Sequence, residues 1–250
     1  MANDRVRRFA PAETHHDRVP PKRGILIYGD PHGEWRPLLD ACAAEAPAAV
    51  IILGDCDLAA PLHEQIAPVF EAGIDVRWIP GNHDARTSAA YDRLWGDHPD
   101  GNLHATAADI GGVAVAGLGG VFKQRVWYPR AEEAEPHFTD RGAYLRQVKP
   151  AERWRAGLPL SARDAIFPED VAALSRIRAD VLVTHEAPSC HKYGFAGIDA
   201  AVAACRARLV VHGHHHANYD GVLPGGVRVK GLGKAEVFRV NGVIARETGH

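Results

Sequence analysis

Three short strand-like segments near the start of the chain share one pattern: each is followed by glycine or proline-glycine, and then by a polar side chain. The segments are residues 25–28, 48–53 and 75–79. The first two are uninterrupted apolar runs, which are typical of strands that are buried on both faces of a sheet. Helix-type segments follow the first two runs, over 35–46 and 61–72. The alternation predicts strand–loop–helix units and a largely parallel sheet with right-handed crossovers.

The second half of the chain continues with a different mixture of elements. We expect a hairpin around Gly111 and Gly112, and further buried strands over 180–184 and 209–211. Other expected elements are helices over 168–178 and 199–206, and antiparallel strands over 227–230, 235–240 and 243–245. Strands and helices of this kind place the chain in the α/β class.

The same pattern predicts the domain organisation. We interpret residues 24–250 as a single domain. Residues 1–23 are dominated by charged side chains and contain two adjacent prolines, so we expect a flexible arm there. Residues 121–165 are polar and rich in arginine, and we expect them to form a cap or an insertion with some helix.

Composition narrows the class of protein without identifying it. The 250 residues carry 29 Lys and Arg against 31 Asp and Glu, a formal charge of −2, which argues against a dedicated binder of long nucleic acids. The four cysteines lack the spacing of a zinc knuckle, so we expect reduced thiols. Because we find neither a membrane-spanning run nor a signal peptide, we expect a cytoplasmic protein without a membrane partner.

Polar side chains with metal-binding chemistry follow five of the predicted strands. In chain order they are Asp30 and His32, then Asp55, then Asn82, His83 and Asp84, then His185, and finally His214 and His216. In parallel sheets, ligands bind beyond the carboxyl ends of the strands. Carboxylates and imidazoles together suit Mn, Fe, Zn or Co, and two such ions about 3.5–4 Å apart activate water and clamp phosphate oxygens.

These five motifs, in this order and each after an apolar strand, resemble those of the calcineurin-like metallophosphoesterase superfamily. The resemblance covers roughly residues 24–245. It implies a four-layer α/β/β/α sandwich, in which two mixed β-sheets are flanked by helices and a metal site lies at the carboxyl ends of the strands. It also implies two divalent or mixed-valence transition metal ions as cofactors, and hydrolysis of a phosphomonoester or phosphodiester.

The resemblance assigns the motifs to two metal sites, residue by residue. It implies that the first ion is held by Asp30, His32 and His216, the second by Asn82, His185 and His214, and that Asp55 bridges the two. A hydroxide between the metal ions would be the nucleophile. His83 would be the general acid for the leaving oxygen, and Asp84 would orient His83 and raise its basicity.

Two interpretations remain open for several neighbouring side chains. Asp57 either supports a metal ligand or caps the next helix. In an extended segment His215 would face away from His214 and His216, so we interpret His215, like His212, as structural or as a support for a metal ligand.

The substrate is the least constrained part of the prediction. Arg125 and Arg130 are candidates for binding phosphate, and Trp127 and Tyr128 for stacking on a base. The competing interpretation is a solvated cap surface with aromatic anchors. We expect a small phosphoester or a nucleotide-type substrate, and the oligomeric state stays open.

Two other functions fit the same fold. A binding or scaffold protein that has lost catalysis is expected to lack metal ligands, whereas every ligand position is filled here. A protein Ser/Thr phosphatase is expected to carry glutamate where this chain has Asp84, and an arginine-containing stretch where it has Asp57 and the residues that follow. The sequence therefore favours a metal-dependent phosphoesterase.

Overall fold

Residues 24–131 and 133–240, which the computed structural model describes, form two β-sheets packed face to face between layers of helices. This is the predicted α/β/β/α sandwich with mixed sheets. The expected arm over 1–23 and the expected strand over 243–245 lie outside the described residues.

The first sheet contains the three strands predicted from the amino-terminal segments. Its spatial order is β10 (Glu236–Val240), β1 (Ile25–Gly29), β2 (Ala49–Ile52) and β3 (Asp75–Trp78). β1, β2 and β3 are parallel, whereas β10 runs antiparallel to β1. The parallel strands therefore deliver their following loops to the same edge, as predicted.

The second sheet has six strands. Its spatial order is β4 (Thr106–Ile110), β5 (Val113–Leu118), β6 (Val181–Thr184), β7 (Leu209–His212), β9 (Arg228–Gly231) and β8 (Tyr219–Val222). β4 and β5 form the predicted hairpin. The prediction for the closing strands was wrong in one respect, because β9 pairs in parallel with β7 and antiparallel only with β8. β8 was not predicted, since its sequence, YDGV, contains no apolar run.

Alternation along each central strand explains the layers. In β1, Ile25 and Ile27 pack between the two sheets, while Leu26 and Tyr28 pack against the outer helices. Both faces of the strand are thus buried, which is why it appears as a continuous apolar run. Each such side chain contributes about 1.5–3 kcal/mol when fully buried.

Helices cover the outer face of each sheet. α1 (Arg36–Glu45), α2 (Leu62–Gln65) and α3 (Ala67–Glu71) pack on the first sheet, and α6 (Pro168–Leu174) and α7 (Ala196–Cys205) pack on the second. The single helix predicted over 61–72 is divided into α2 and α3. The break falls at Ile66, whose backbone is not helical, and Pro68 follows in the first turn of α3, where a missing N–H is tolerated.

The segment over residues 121–165 is irregular, with little helix. It contains α5 (Arg141–Gln147) and two short 3₁₀ turns, Pro150–Glu152 and Leu160–Ala162. A separate apolar cluster, which includes Val126, Tyr144 and Phe167, holds it against the start of α6. The remaining short helix, α4 (Ser88–Tyr91), continues into one wide turn over Asp92–Gly96.

Two further observations concern the whole described chain. All four cysteines are free thiols, as predicted. No helix among the described residues combines the length and the apolar character that crossing a membrane requires.

Candidate metal centre

The loops after five strands meet on one side of the sandwich and bring distant parts of the chain together. Asp30 follows β1, and its Oδ2 accepts a 2.9 Å hydrogen bond from the backbone N–H of His214, which follows β7. His185 follows β6, and its Nδ1 lies 2.7 Å from the backbone oxygen of Leu53, next to β2. The two sheets are therefore joined at the point where their polar loops emerge.

Asp55 lies at the centre of this group. Its Oδ2 is 3.5 Å from Nε2 of His185, 3.7 Å from Nε2 of His32 and 3.9 Å from Nε2 of His83. The carboxylate is almost fully buried. Imidazole nitrogens from both sheets thus point at one carboxylate oxygen, which is the position a bridging ligand has to occupy.

The other predicted ligands surround Asp55. Nε2 of His216 is 2.9 Å from Nε2 of His32. Oδ1 of Asn82 is 3.3 Å from Nε2 of His185, and a rotation of the amide places its nitrogen 3.1 Å from Nδ1 of His214. The structure therefore brings the predicted set of seven side chains into one cluster.

Among the described residues, three groups of side chains have possible ligand atoms within 4.8 Å of one another, close enough to share a metal ion. They are His32, Asp55 and His83; Asp55, His185 and His214; and Glu186, His214 and His215. His83, which the sequence assigns to proton transfer, is near enough to be a ligand by distance alone. The third group was not predicted.

Unusual backbone conformations are concentrated at this site. Six of its non-glycine residues have φ between 37° and 68°: Asp30, His32, Asp55, Asp57, His214 and His216. Such residues are uncommon and cost free energy that the surrounding structure must supply. Two glycines are also required here, because a Cβ on Gly81 would lie 2.3 Å from an oxygen of Asp55, and one on Gly213 would lie 2.4 Å from an oxygen of Asp30.

The electrostatics of the centre favour a bound cation. Burial raises the pKa of Asp30 to about 6, and Oδ1 of this side chain has no hydrogen-bond partner among the described residues. Burial alone would lower the pKa of His185, but the carboxylates of Asp55 and Asp30 more than offset it and raise this pKa to about 10. Buried carboxylates with an unsatisfied oxygen, next to imidazoles, fit a transition metal ion.

In the closing histidine motif the pKa values shift in the opposite direction from that of His185. Burial lowers the pKa of His214 to about 3 and that of His215 to about 4. Both rings are thus neutral at neutral pH, the form in which imidazole binds metal. We predicted that the side chains of this motif alternate because its backbone is extended. The backbone is not extended, because His214 and His216 have left-handed conformations. His216 nevertheless contacts His32, while His215 faces a neighbouring cleft.

His212 is buried beside this motif, outside the cluster. Its Nε2 lies 2.7 Å from the hydroxyl of Tyr219, and its Nδ1 lies 3.0 Å from the backbone oxygen of Gly213. These contacts fit the structural interpretation of His212.

The predicted contact between Asp84 and His83 is wrong. The buried carboxylate of Asp84 instead accepts hydrogen bonds from the backbone N–H groups of Asp55, Cys56 and Gly81, at 2.7–2.9 Å. Three donors fixed by the loops satisfy this carboxylate and turn it away from the imidazole. Asp84 therefore ties the second and third motif loops to each other.

Asp57 takes the position that the sequence assigned to Asp84. Its Oδ2 is 2.8 Å from Nδ1 of His32, and its Oδ1 is 3.0 Å from Nδ1 of His83. The sequence left this residue open between a supporting carboxylate and a helix cap. The structure shows the supporting contact, and the next helix begins only at Leu62.

The four predicted substrate residues of segment 121–165 separate into two groups. Arg130 and Tyr128 line a cleft of about 420 Å³ that also contains Asn82 and His214. Trp127 lies elsewhere, because its Nε1 donates to the backbone oxygen of Ala134 and its ring lines a larger groove along α7. Arg125 is exposed and is not among the residues lining the cleft. Of these four residues, only Arg130 and Tyr128 line the cleft beside the predicted metal ligands.

Sequence reasoning missed two further groups around the predicted ligands. Glu186 is buried and lines the cleft together with His215 and the exposed ring of Tyr193. Arg86 is not among the residues lining the cleft, and its Nη1 is 3.2 Å from Nδ1 of His83. The position of Glu186 directly after a predicted ligand was the available signal, since a buried carboxylate beside an imidazole commonly supports it.

Comparison with known proteins identifies the family. The model of the calcineurin-like phosphoesterase family matches residues 24–218. An uncharacterized protein of Haemophilus influenzae is 40% identical over 197 residues, covering 78% of this chain and 84% of that protein.

Solved structures show the same fold at low sequence identity. A dimetal phosphatase from Danio rerio is 13% identical with a TM-score of 0.54, and the match covers 86% of this chain and 88% of that one. Phosphopantetheinyl Hydrolase from Mycobacterium tuberculosis is 18% identical with a TM-score of 0.51, and the match covers 92% and 100% of the two chains. With the family model matched over most of its length, the chain belongs to the calcineurin-like phosphoesterase family, whose members generally bind two divalent metal ions and hydrolyse phosphoesters.

Proposed function

We propose that this protein hydrolyses a small phosphomonoester or phosphodiester with two transition metal ions (Mn, Fe, Zn or Co) held at the cluster around Asp55. The observation that carries the proposal is the convergence of imidazoles from both sheets on one buried carboxylate oxygen, at 3.5–3.9 Å. Membership of the phosphoesterase family supports it.

The ligand sets follow from the positions of the side chains. In this proposal Asp55 bridges the ions, one held by Asp30, His32 and His216 and the other by Asn82, His185 and His214. When bound, the ions lower the pKa of a coordinated water and neutralise charge on the phosphate oxygens. Two observations support this assignment: Oδ1 of Asp30 has no hydrogen-bond partner in the described part of the chain, and the ring of His214 is neutral.

His83 is the proposed proton donor to the leaving oxygen. Its Nε2 faces Asp55, and its Nδ1 is held by the carboxylate of Asp57. A carboxylate on Nδ1 fixes the ring orientation, so the nitrogen available for proton transfer is Nε2. A donor placed in this way contributes roughly 10²–10⁴-fold to the rate.

Arg130 is the proposed contact to a substrate oxygen. Its guanidinium lies 4.7 Å from the ring centre of Phe195 and lines the same cleft as Asn82 and His214. A guanidinium packed on an aromatic ring keeps its N–H groups directed at a phosphate with little loss of side-chain freedom. Tyr128, which lines the same cleft, is proposed to contact the organic group.

The test is hydrolysis of 4-nitrophenyl phosphate and bis(4-nitrophenyl) phosphate by protein loaded separately with Mn, Fe, Zn and Co. We expect metal-dependent release of nitrophenol with at least one of the two esters. Glu71→Gln, a change on the exposed end of α3, is the matched control and should keep wild-type rates. Full metal loading without turnover in all four cases would instead support the binding-protein alternative.

A further inference from the structure

A polar wall adjoins the metal cluster on the His214 side and has no place in the proposed hydrolysis. It belongs to the cleft of about 420 Å³ and is formed by Glu186 and His215. Aromatic side chains, among them Tyr128 and Tyr193, line the same cleft. A ligand bound to the metal ions would extend its organic group into this space.

Glu186 has one satisfied and one unsatisfied oxygen. Its Oε1 accepts a 3.2 Å hydrogen bond from the backbone N–H of Phe122. Its Oε2 is buried and has no hydrogen-bond partner among the described residues. Nε2 of the neutral His214 ring lies 3.9 Å from this oxygen, which is beyond hydrogen-bonding distance. A buried polar oxygen left without a partner costs about 1–3 kcal/mol, so it needs an explanation.

His215 presents a second unsatisfied atom to the same cleft. Its Nε2 is buried and has no partner within the described part of the chain. The ring stacks on His191 with centroids 4.4 Å apart and planes 21° apart, so its orientation is fixed. Glu186 and His215 both line the cleft, and a possible ligand atom of each lies within 4.8 Å of one on the other.

We propose that Glu186 and His215 form a specificity subsite that selects phosphoesters whose organic group carries a hydroxyl or amino hydrogen-bond donor. This inference rests on the proposed function, because it requires the phosphate to lie at the metal centre. Oε2 of Glu186 accepts the donor, and Nε2 of His215 contacts the neighbouring polar atom. A site built to bind a hydroxyl or amino group discriminates strongly against analogues that lack it, because its own polar groups are then left unpaired.

The backbone N–H of Phe122 makes one substitution especially informative. In Glu186→Gln the amide oxygen has to accept from Phe122, so the amide nitrogen takes the place of Oε2. The subsite then presents a donor where the wild-type protein presents an acceptor. The preference of the cleft should therefore reverse, which a general loss of structure cannot produce.

The experiment is calorimetric titration of Mn-loaded protein with benzylphosphonates, whose carbon–phosphorus bond is not an ester. The probes are the unsubstituted compound, the 3-amino and 4-amino derivatives as donors, and the 3-methoxy and 4-methoxy derivatives as acceptors only. We expect the wild-type protein to bind the better amino compound at least about tenfold more tightly than the unsubstituted and methoxy compounds. In Glu186→Gln a methoxy compound should bind more tightly than its amino counterpart, while Glu71→Gln should keep the wild-type order.

Several outcomes overturn the proposal. Equal affinities of the wild-type protein for all five compounds, or no binding of any of them, would do so without any substitution. A Glu186→Gln variant that binds Mn more weakly but, at saturating Mn, keeps the wild-type order of affinities would show that Glu186 only supports His214. Because these measurements need no turnover, a protein that binds with the expected order yet hydrolyses no ester would contradict the proposed function and leave the subsite in place.

Discussion

Oδ1 of Asp57 lies 3.0 Å from Nδ1 of His83, and the other oxygen of the same carboxylate lies 2.8 Å from Nδ1 of His32. One carboxylate thus fixes the outer nitrogens of two imidazoles whose inner nitrogens both face Asp55. The proposed proton donor and a proposed metal ligand are therefore oriented by the same side chain.

Asp57→Asn should weaken both functions of this contact. We expect kcat to fall by roughly 10–100-fold and metal affinity to fall as well, because an amide stabilises neither imidazole as a carboxylate does. Steady-state kinetics and metal titration measure the two effects. Asp40→Asn, on the exposed face of α1, is the matched control and should change neither. Wild-type kcat in Asp57→Asn would contradict the positioning function.

Asp55→Asn should remove the bridge between the two proposed metal sites. We expect turnover to be abolished and metal content to fall well below two ions per chain, because the amide carries no charge to hold two cations. Mass spectrometry of the purified protein measures the content. About two ions per chain in this variant would refute the bridging assignment.

His83→Ala separates proton donation from metal binding. We expect the variant to keep its metal content and to lose kcat mainly with alkyl esters, since a nitrophenolate leaves without protonation. Rates on 4-nitrophenyl and alkyl phosphates measure the difference. Because His83 is also close enough to Asp55 and His32 to share an ion, a loss of metal would instead identify it as a ligand.

Asp84→Asn tests the correction to the sequence-based assignment. The amide has only one accepting oxygen, so one of the three backbone N–H groups now bonded to Asp84 loses its partner. We expect a loss of about 1–3 kcal/mol in the free energy of unfolding, and thus a fall in melting temperature of roughly 2–12 °C for a chain of this size. Residual activity should keep the wild-type dependence on the leaving group. A dependence like that of His83→Ala would restore the original assignment.

Asp170 should make stability dependent on acid pH. Burial alone would raise its pKa, but His104 and Arg141 hold this pKa below the ordinary value. A carboxylate with a lowered folded pKa stabilises fully above its unfolded value, about 4, and less as the pH falls through the folded value.

Asp170→Asn should therefore lower the free energy of unfolding by about 3 kcal/mol at pH 7, because Arg141 loses the carboxylate to which it donates two hydrogen bonds. The difference in melting temperature from the wild-type protein should shrink below about pH 4. Glu169→Gln changes a more exposed partner of Arg141 and should lower the free energy of unfolding by less than about 1 kcal/mol. A difference that is constant with pH would contradict the ionic explanation.

The amino-acid sequence by itself determined the layers and the edge at which the site lies. Strands β1 and β2 are continuous apolar runs because both of their faces are buried, and that property is visible without a structure. In β3 polar and apolar residues alternate, and only Val76 and Trp78 are buried. Parallel strands carry their following loops to one edge, so the proximity of Asp30, Asp55 and Asn82 also followed. Elements without an apolar run, such as β8, could not be predicted from the sequence.

Tertiary structure decided which neighbouring side chains serve which function. Asp57 and Asp84 are both aspartates close to a ligand, but the backbone N–H groups of two loops surround Asp84, while Asp57 faces the imidazoles. Glu186 similarly acquires its free oxygen only because Phe122, 64 positions away, occupies the other one. Strand periodicity fixes where a loop begins, but the direction of each loop side chain depends on left-handed backbone and on partners distant in the chain. Those contacts exist only once the two sheets have packed together.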